Sequence, residues 1–258
     1  MGAGHAHVLY RRGASPVHLL PPHCKILATV GFVLAVVATP REQMWAFALY
    51  ALLLAGVAAC AAVPWGFLVR RVVIEVPFVA FALLLPFIAS GPRTEVLGVA
   101  VSQSGLWGAW NILAKGTLGV LASILLASTT EPRALLLGVE RLRVPPLLTQ
   151  IATFMLRYGD VVVAEMRRMR TARAARGFEA RDLRDARVLA RSLGSLFLRC
   201  FERGERVYLA MVSRGYDGRM PVLDRVGASG AQWAASAVLP AAAAAVALAA
   251  WMAQWTLL

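Results

Sequence analysis

Two tripeptides 38 positions apart, Ala175-Arg176-Gly177 and Ser213-Arg214-Gly215, are each followed by an aromatic residue and an acid, Phe178-Glu179 and Tyr216-Asp217. Arginine makes several directed bonds at once to carboxylates or carbonyls, so its chemistry in this setting is contact rather than catalysis. Glycine suits the left-handed position that closes a helix, and an aromatic just after it can pack back on the last turn. An arginine immediately before that glycine sits at the negative end of the helix dipole, where a cation is favoured by about 0.3–1 kcal/mol. One such motif is a helix cap. Two, ending two helices alike, describe a two-pronged docking device.

Glu75, Asn111 and Lys115 form a second candidate, an intramembrane polar site. Lys115 lies inside an apolar run with Asn111 one turn before it, and Glu75 is the only acid inside any apolar run. A cation at mid-membrane costs about 2.5–3.5 kcal/mol on insertion scales. Two readings stand: Lys115 meets a carboxylate such as Glu75 or a wet cavity, or it packs against the cytosolic helices or snorkels.

Metal and covalent chemistry find little support. Cys24, Cys60 and Cys200 are far apart and form no C-x-x-C pair, so neither a zinc site nor a disulfide framework is expected. The four histidines, His5, His7, His18 and His23, all lie early. His5-Ala6-His7 and His23-Cys24 offer ligand types that suit a borderline transition metal. A terminal chelate needs histidine at the third position, however, and after loss of Met1 His5 is fourth. A solvated tail is the expectation, and no metal ligand is assigned. H-E-x-x-H, G-x-S-x-G and the P-loop G-x-x-x-x-G-K-[ST] do not occur, so the chain brings no ATP site of its own. CDP-alcohol phosphatidyltransferases also carry an Ala-Arg pair, but they need aspartates at fixed spacing. Here Asp217-Gly218 runs into Arg219-Met220-Pro221.

The elements that must position these residues follow from composition. The chain has 258 residues, 59% of them hydrophobic, with a net charge of +13 and mean hydropathy +0.64. Soluble domains run at about 45–50% apolar. The excess excludes an ordinary water-soluble fold and excludes disorder. Apolar runs cover 26–39, 43–63, 72–90, 106–128 and 232–258. A span needs about 20 residues, so four qualify, and the first does if it extends back over Lys25 with its snorkelling stem. No small-residue cleavage site follows Arg11-Arg12 at signal-peptide distance, so the first segment is expected to be retained.

Residues 129–231 differ in character. They hold 19 of the 27 basic residues and 11 of the 14 acids. Thr130-Glu131-Pro132 predicts a helix start with Thr130 as N-cap, running to Leu142. From Pro146, the apolar positions Leu148, Ile151, Met155, Tyr158, Val162, Met166 and Met169 step by three or four. Leu189, Leu193, Leu196, Cys200, Val207 and Met211 repeat the pattern over 186–214. Acids interspersed among the arginines mark a solvated, salt-bridged face and exclude nucleic acid. Arg11, Arg12, Lys25, Arg70 and Arg71 against Arg41 and Arg93 put the N-terminus inside and the C-terminus outside. The expected fold is an all-α membrane protein. Residues 1–128 form a tail and four spans, 129–231 three cytosolic amphipathic helices, and 232–258 a fifth span.

At this point the chain resembles the T component of energy-coupling-factor (ECF) transporters, closest to the cobalt-uptake subgroup. His18-Leu19-Leu20-Pro21-Pro22-His23-Cys24-Lys25 is similar to the family's H-x-L-D-P-x-x-K, with Pro21 where the family has Asp. Thr129-Thr130-Glu131-Pro132 matches T-T-x-P. Arg157-Tyr158, Glu165 and Arg176-Gly177 match R-Y…E…R-G, and Arg214 opens the second Arg-Gly. The resemblance implies that 175–177 and 213–215 are coupling motifs docking on two ABC-type ATPase subunits. It also implies that ATP and magnesium are bound by those partners and no cofactor by this chain. A separate substrate-binding membrane subunit, cobalt-specific, completes the complex in a prokaryotic cell membrane. The competing reading is a membrane permease or scaffold whose arginine caps are structural only.

Overall fold

The computed structural model describes residues 10–90, 92–96, 99–178, 182, 185–218, 220 and 227–255, with 93–96 and 99–101 described by backbone alone. In chain order the elements are α1 (Pro16–Leu19), α2 (Pro22–Ala38), α3 (Met44–Cys60), α4 (Trp65–Val72), a 3₁₀ turn (Val73–Glu75), α5 (Val76–Ile88), β1 (Arg93–Val96), β2 (Val99–Ser102), α6 (Gln103–Thr129), α7 (Pro132–Arg141), α8 (Pro146–Ala175), α9 (Ala186–Val212) and α10 (Gly230–Trp255). They fall into two compact units, one built on Leu9–Leu142 with Gly227–Leu258 and the other on Arg143–Val226.

The first unit is a helical bundle. Phe32, Tyr50, Leu54, Leu118, Leu125 and Ala243 lie in its core, with Phe32 edge-on to Tyr50 at 5.8 Å. The alanine stripe Ala243, Ala247 and Ala250 is buried, as the small residues of closely approaching membrane helices are. At the contact with α2, Pro240 Cβ stands 2.9 Å from where a Cβ on Gly31 would be. Tyr50 keeps its hydroxyl satisfied, 2.7 Å from Thr39 Oγ1 and donating to Ala243 O at 3.3 Å.

At 17 residues α2 is about 26 Å long, less than the roughly 30 Å of hydrocarbon, so its last carbonyls must find donors. Each does. Thr39 Oγ1 donates to Ala35 O at 2.9 Å and Thr39 N to Val36 O at 3.3 Å. Lys115 Nζ donates to Val37 O at 2.8 Å and Trp251 Nε1 to Ala38 O at 2.9 Å.

Several expectations are corrected. The third apolar helix starts at Trp65, not at residue 72, so Arg70 and Arg71 belong to the last turn of α4 rather than to a loop. Residues 65–88 form one 24-residue run through the 3₁₀ turn. Thr130 does not cap α7: Glu131 holds the N-cap position without a side-chain bond, and Thr130 Oγ1 is buried with no partner. The chain also contains an antiparallel hairpin, β1–β2, pairing Arg93 with Ser102 and Val96 with Val99, which the helical reading did not foresee. Four described helical runs are long and apolar enough to cross a membrane: 65–88, α6, α8 and α10. At 17 residues each, α2 and α3 are shorter.

The second unit is built on α8 and α9. Only Thr149 in α8 and Leu196 in α9 are buried, because each helix is amphipathic and packs mainly on the other.

Candidate functional site

Both Arg-Gly motifs close their helices in the same way. After α8, Gly177 takes φ +74°, its N–H donates to Ala174 O at 2.9 Å, and Phe178 N reaches back to Arg173 O at 3.1 Å. After α9, Gly215 takes φ +85°, its N–H donates to Val212 O at 2.9 Å, and Tyr216 N reaches Met211 O at 3.0 Å. These paired bonds are the Schellman arrangement, which favours glycine because a Cβ is crowded at positive φ. Arg176 and Arg214 are the last residues before each reversal. Both are exposed, and neither guanidinium has an ion-pair partner among the described residues.

The pairing of α8 with α9 sets where the two arginines stand. Tyr216 Oη donates to Gln150 Oε1 at 2.8 Å, and Gln150 Nε2 donates to Gly218 O at 3.1 Å, so the end of α9 meets the start of α8. Midway, Glu165 accepts from Arg199 of α9 and, at 3.4 Å, from Arg168 of its own helix. The helices therefore run antiparallel, and the arginines occupy opposite ends. Counting the rise from Gln150 to Arg176, they are about 39 Å apart. Between the helices lies a cleft of about 850 Å³ lined by Ile151, Tyr158, Val162, Met169, Val207 and Met211, members of the two apolar stripes.

The three candidates for an intramembrane polar site do not converge. Glu75 is 2% exposed and accepts from Thr117 Oγ1 at 3.0 Å, while Lys115 serves the Val37 carbonyl. Asn111 Oδ1 is buried without a partner. The Lys115–Glu75 pairing is replaced by a carbonyl contact that residue types alone cannot reveal.

A second constellation, which sequence reasoning did not assemble, joins the two motifs near the chain's start and middle. Lys25 is 6% exposed, and its Nζ donates to Thr129 O at 2.9 Å and His18 O at 3.3 Å. It is buried rather than snorkelling. Arg11 N donates to Ser128 O at 2.9 Å. The carbonyls at the end of α6 are thus held by residues before and within α2. Gly138 of α7 sits so close to α2 that a Cβ there would lie 2.9 Å from His23 N. The signal was the lysine itself: a cation seven residues after His18, facing a helix end that needs donors.

Of the two described histidines, His18 has both ring nitrogens engaged, while His23 Nδ1 is buried with no hydrogen-bond partner among the described residues. His18 Nδ1 lies 2.7 Å from Ser15 Oγ and Nε2 3.1 Å from Arg11 O. His23 packs edge-on to Trp233 at 5.5 Å. His5 and His7 lie outside the described residues.

Fold and site together define a class: a helical membrane protein with exposed arginines at the ends of two capped helices. The chain belongs to the CbiQ family, cobalt transport protein, whose pattern matches residues 13–223. It is similar to the energy-coupling factor transporter transmembrane protein EcfT of Bacillus subtilis, 29% identical over 81% of this chain and 83% of the relative. To EcfT of Thermanaerovibrio acidaminovorans it is 30% identical over 79% and 80% of the two chains. To the cobalt transport protein CbiQ of Rhodobacter capsulatus it is 28% identical over 63% and 65%. The chain is thus a transport component of the membrane, an ECF-type T component, and not itself an enzyme.

Proposed function

We propose that this chain transmits conformational change from two cytosolic ABC-type ATPase subunits to a substrate-binding membrane subunit, with cobalt as the transported ion. ATP and magnesium belong to the ATPases. The observation that carries the reading is the pair of identically capped helices presenting unpaired arginines at opposite ends of an antiparallel pair. One arginine would enter a groove on each ATPase.

Five columns, α2, α3, α4–α5, α6 and α10, cross the membrane in this reading, with the N-terminus cytosolic and the C-terminus outside. The arginine bias of the short segments supports it. α8 is long enough to span, but its second half carries Glu165, Arg167, Arg168, Arg170 and Arg173, whose burial in lipid would cost several kcal/mol together, so it belongs with the cytosolic helices. Cobalt is the cargo because the matched family and the Rhodobacter relative carry it in their names. Selectivity for it resides in the separate subunit, since both ring nitrogens of His18 are already engaged.

Co-purification of the chain with its ATPases tests the reading. Arg176→Glu and Arg214→Glu should each weaken association while leaving insertion intact. The double variant should lose far more than either, because the second contact of a two-point attachment profits from effective concentration. Normal assembly and transport by the double variant would reduce the arginines to helix caps.

A further inference from the structure

The short helix α4 divides its residues between two faces. Gly66, Phe67, Arg70 and Arg71 line an open recess of about 610 Å³. Trp65, Val69, Val72, Val76 and Leu83, with Leu121 of α6, wall a groove of about 630 Å³ that is nearly all apolar. Arg70 and Arg71 line the recess, and Arg11 stacks on its Phe67 ring. The Arg71 guanidinium lies 4.6 Å from the Phe67 ring centroid and that of Arg11 5.5 Å, and Arg70 is exposed beside them. The Phe67 ring face attracts the two cations stacked on it, Arg71 and Arg11. Trp65, 53% exposed, stands at the mouth of the groove, where an indole marks headgroup level.

We propose that α4 holds one anionic phospholipid, its phosphate at Arg70, Arg71 and Arg11 and an acyl chain along the α4–α5 groove. Three cations within reach of one recess fit a phosphate, which accepts charge-assisted bonds from several guanidiniums. From the level of Arg71 to Leu83 the groove runs about 18 Å, more than the ~15 Å depth of one hydrocarbon leaflet. Gly66 is the saddle between the faces: no atom lies within 4 Å of where its Cβ would be, so a headgroup can pass over the backbone there. The site rests on reading α4–α5 as a membrane span, but not on the coupling role of α8 and α9.

The test is native mass spectrometry of the full chain in a neutral detergent, titrated with palmitoyl-oleoyl phosphatidylglycerol or the matching phosphatidylcholine. One phosphatidylglycerol should be retained with at least about tenfold preference. Each of Arg70→Gln and Arg71→Gln should cost about fivefold in apparent affinity. Gly66→Leu keeps every charge, has room for its side chain and favours helix, yet should abolish retention by filling the saddle. Arg41→Gln, the same charge change elsewhere, should retain the lipid. Equal uptake of the two lipids, equal loss in Arg41→Gln, or undiminished retention in Gly66→Leu overturns the site. So does a protein partner, rather than lipid, covering Arg70 in the assembled complex. ATPase co-purification reads α8 and α9 and none of these residues, so the two proposals fail separately.

Discussion

The bundle and the α8–α9 pair solve the same problem, an amphipathic or apolar helix in need of neighbours, in opposite ways. In the bundle, polar groups find partners across helices far apart in sequence: Lys25 with Thr129, Tyr50 with Ala243, Trp251 with Ala38. In α8 and α9, Met155 (69% exposed), Phe197 (68%) and Leu209 (64%) have no such cover. Apolar surface of that extent on cationic helices marks an interaction surface. The bundle ties many of its polar groups together across helices, while the pair buries little of its apolar stripes.

All seven tryptophans, from Trp45 to Trp255, lie in the bundle, so indole fluorescence reports it selectively. The largest effect on that signal is expected from Lys25→Met, which strips two carbonyls of their donor and should cost about 2 kcal/mol in thermal or denaturant unfolding. Arg191→Ala on α9 should stay within about 0.5 kcal/mol. Tyr50→Phe, which deletes one bridging hydroxyl, should cost about 1 kcal/mol. If Lys25→Met is silent, the bundle is not held by its polar ties and the contrast collapses. Gly177→Ala should cost about 1 kcal/mol locally, because alanine resists φ +74°. Faster amide exchange at Phe178 with unchanged fluorescence is the expected pattern. Among the changes that break a described contact, the smallest effect is expected from Glu165→Gln, which frees Arg199 and should loosen the pair by less than about 1 kcal/mol. Broadened distances between spin labels on α8 and α9 would show it, and salt should mimic it.

What could be seen in the sequence tracks this division. The boundaries of α8 and α9 came through closely, at 146–175 and 186–212 against expected ends near 175 and 214, because prolines, capping glycines and a one-sided apolar stripe are local signals. The Arg-Gly caps were equally visible. What stayed hidden depends on distant partners. Arg70 and Arg71 looked like a loop, yet Phe67 and the helix end accommodate them inside α4. Lys115 invited a carboxylate and found a backbone carbonyl, a group every residue carries and no sequence displays. Thr130 had the right type for an N-cap, but the chain enters α7 from an extended Thr130 whose hydroxyl is buried.

The donors that finish α2 bear on the order in which the protein is made. Trp251, Ala243 and Pro240 all belong to α10, which leaves the ribosome after the other described helices. At about 5–20 residues per second, synthesis from the end of α6 to Trp255 takes on the order of ten seconds. Throughout that interval the Ala38 carbonyl has no indole, the Tyr50 hydroxyl lacks its Ala243 acceptor, and the face of α2 beside Gly31 has no neighbour. The contacts that finish α2 stay open until the 26 residues of α10 arrive, and any product truncated before Gly230 is left with α2 unfinished.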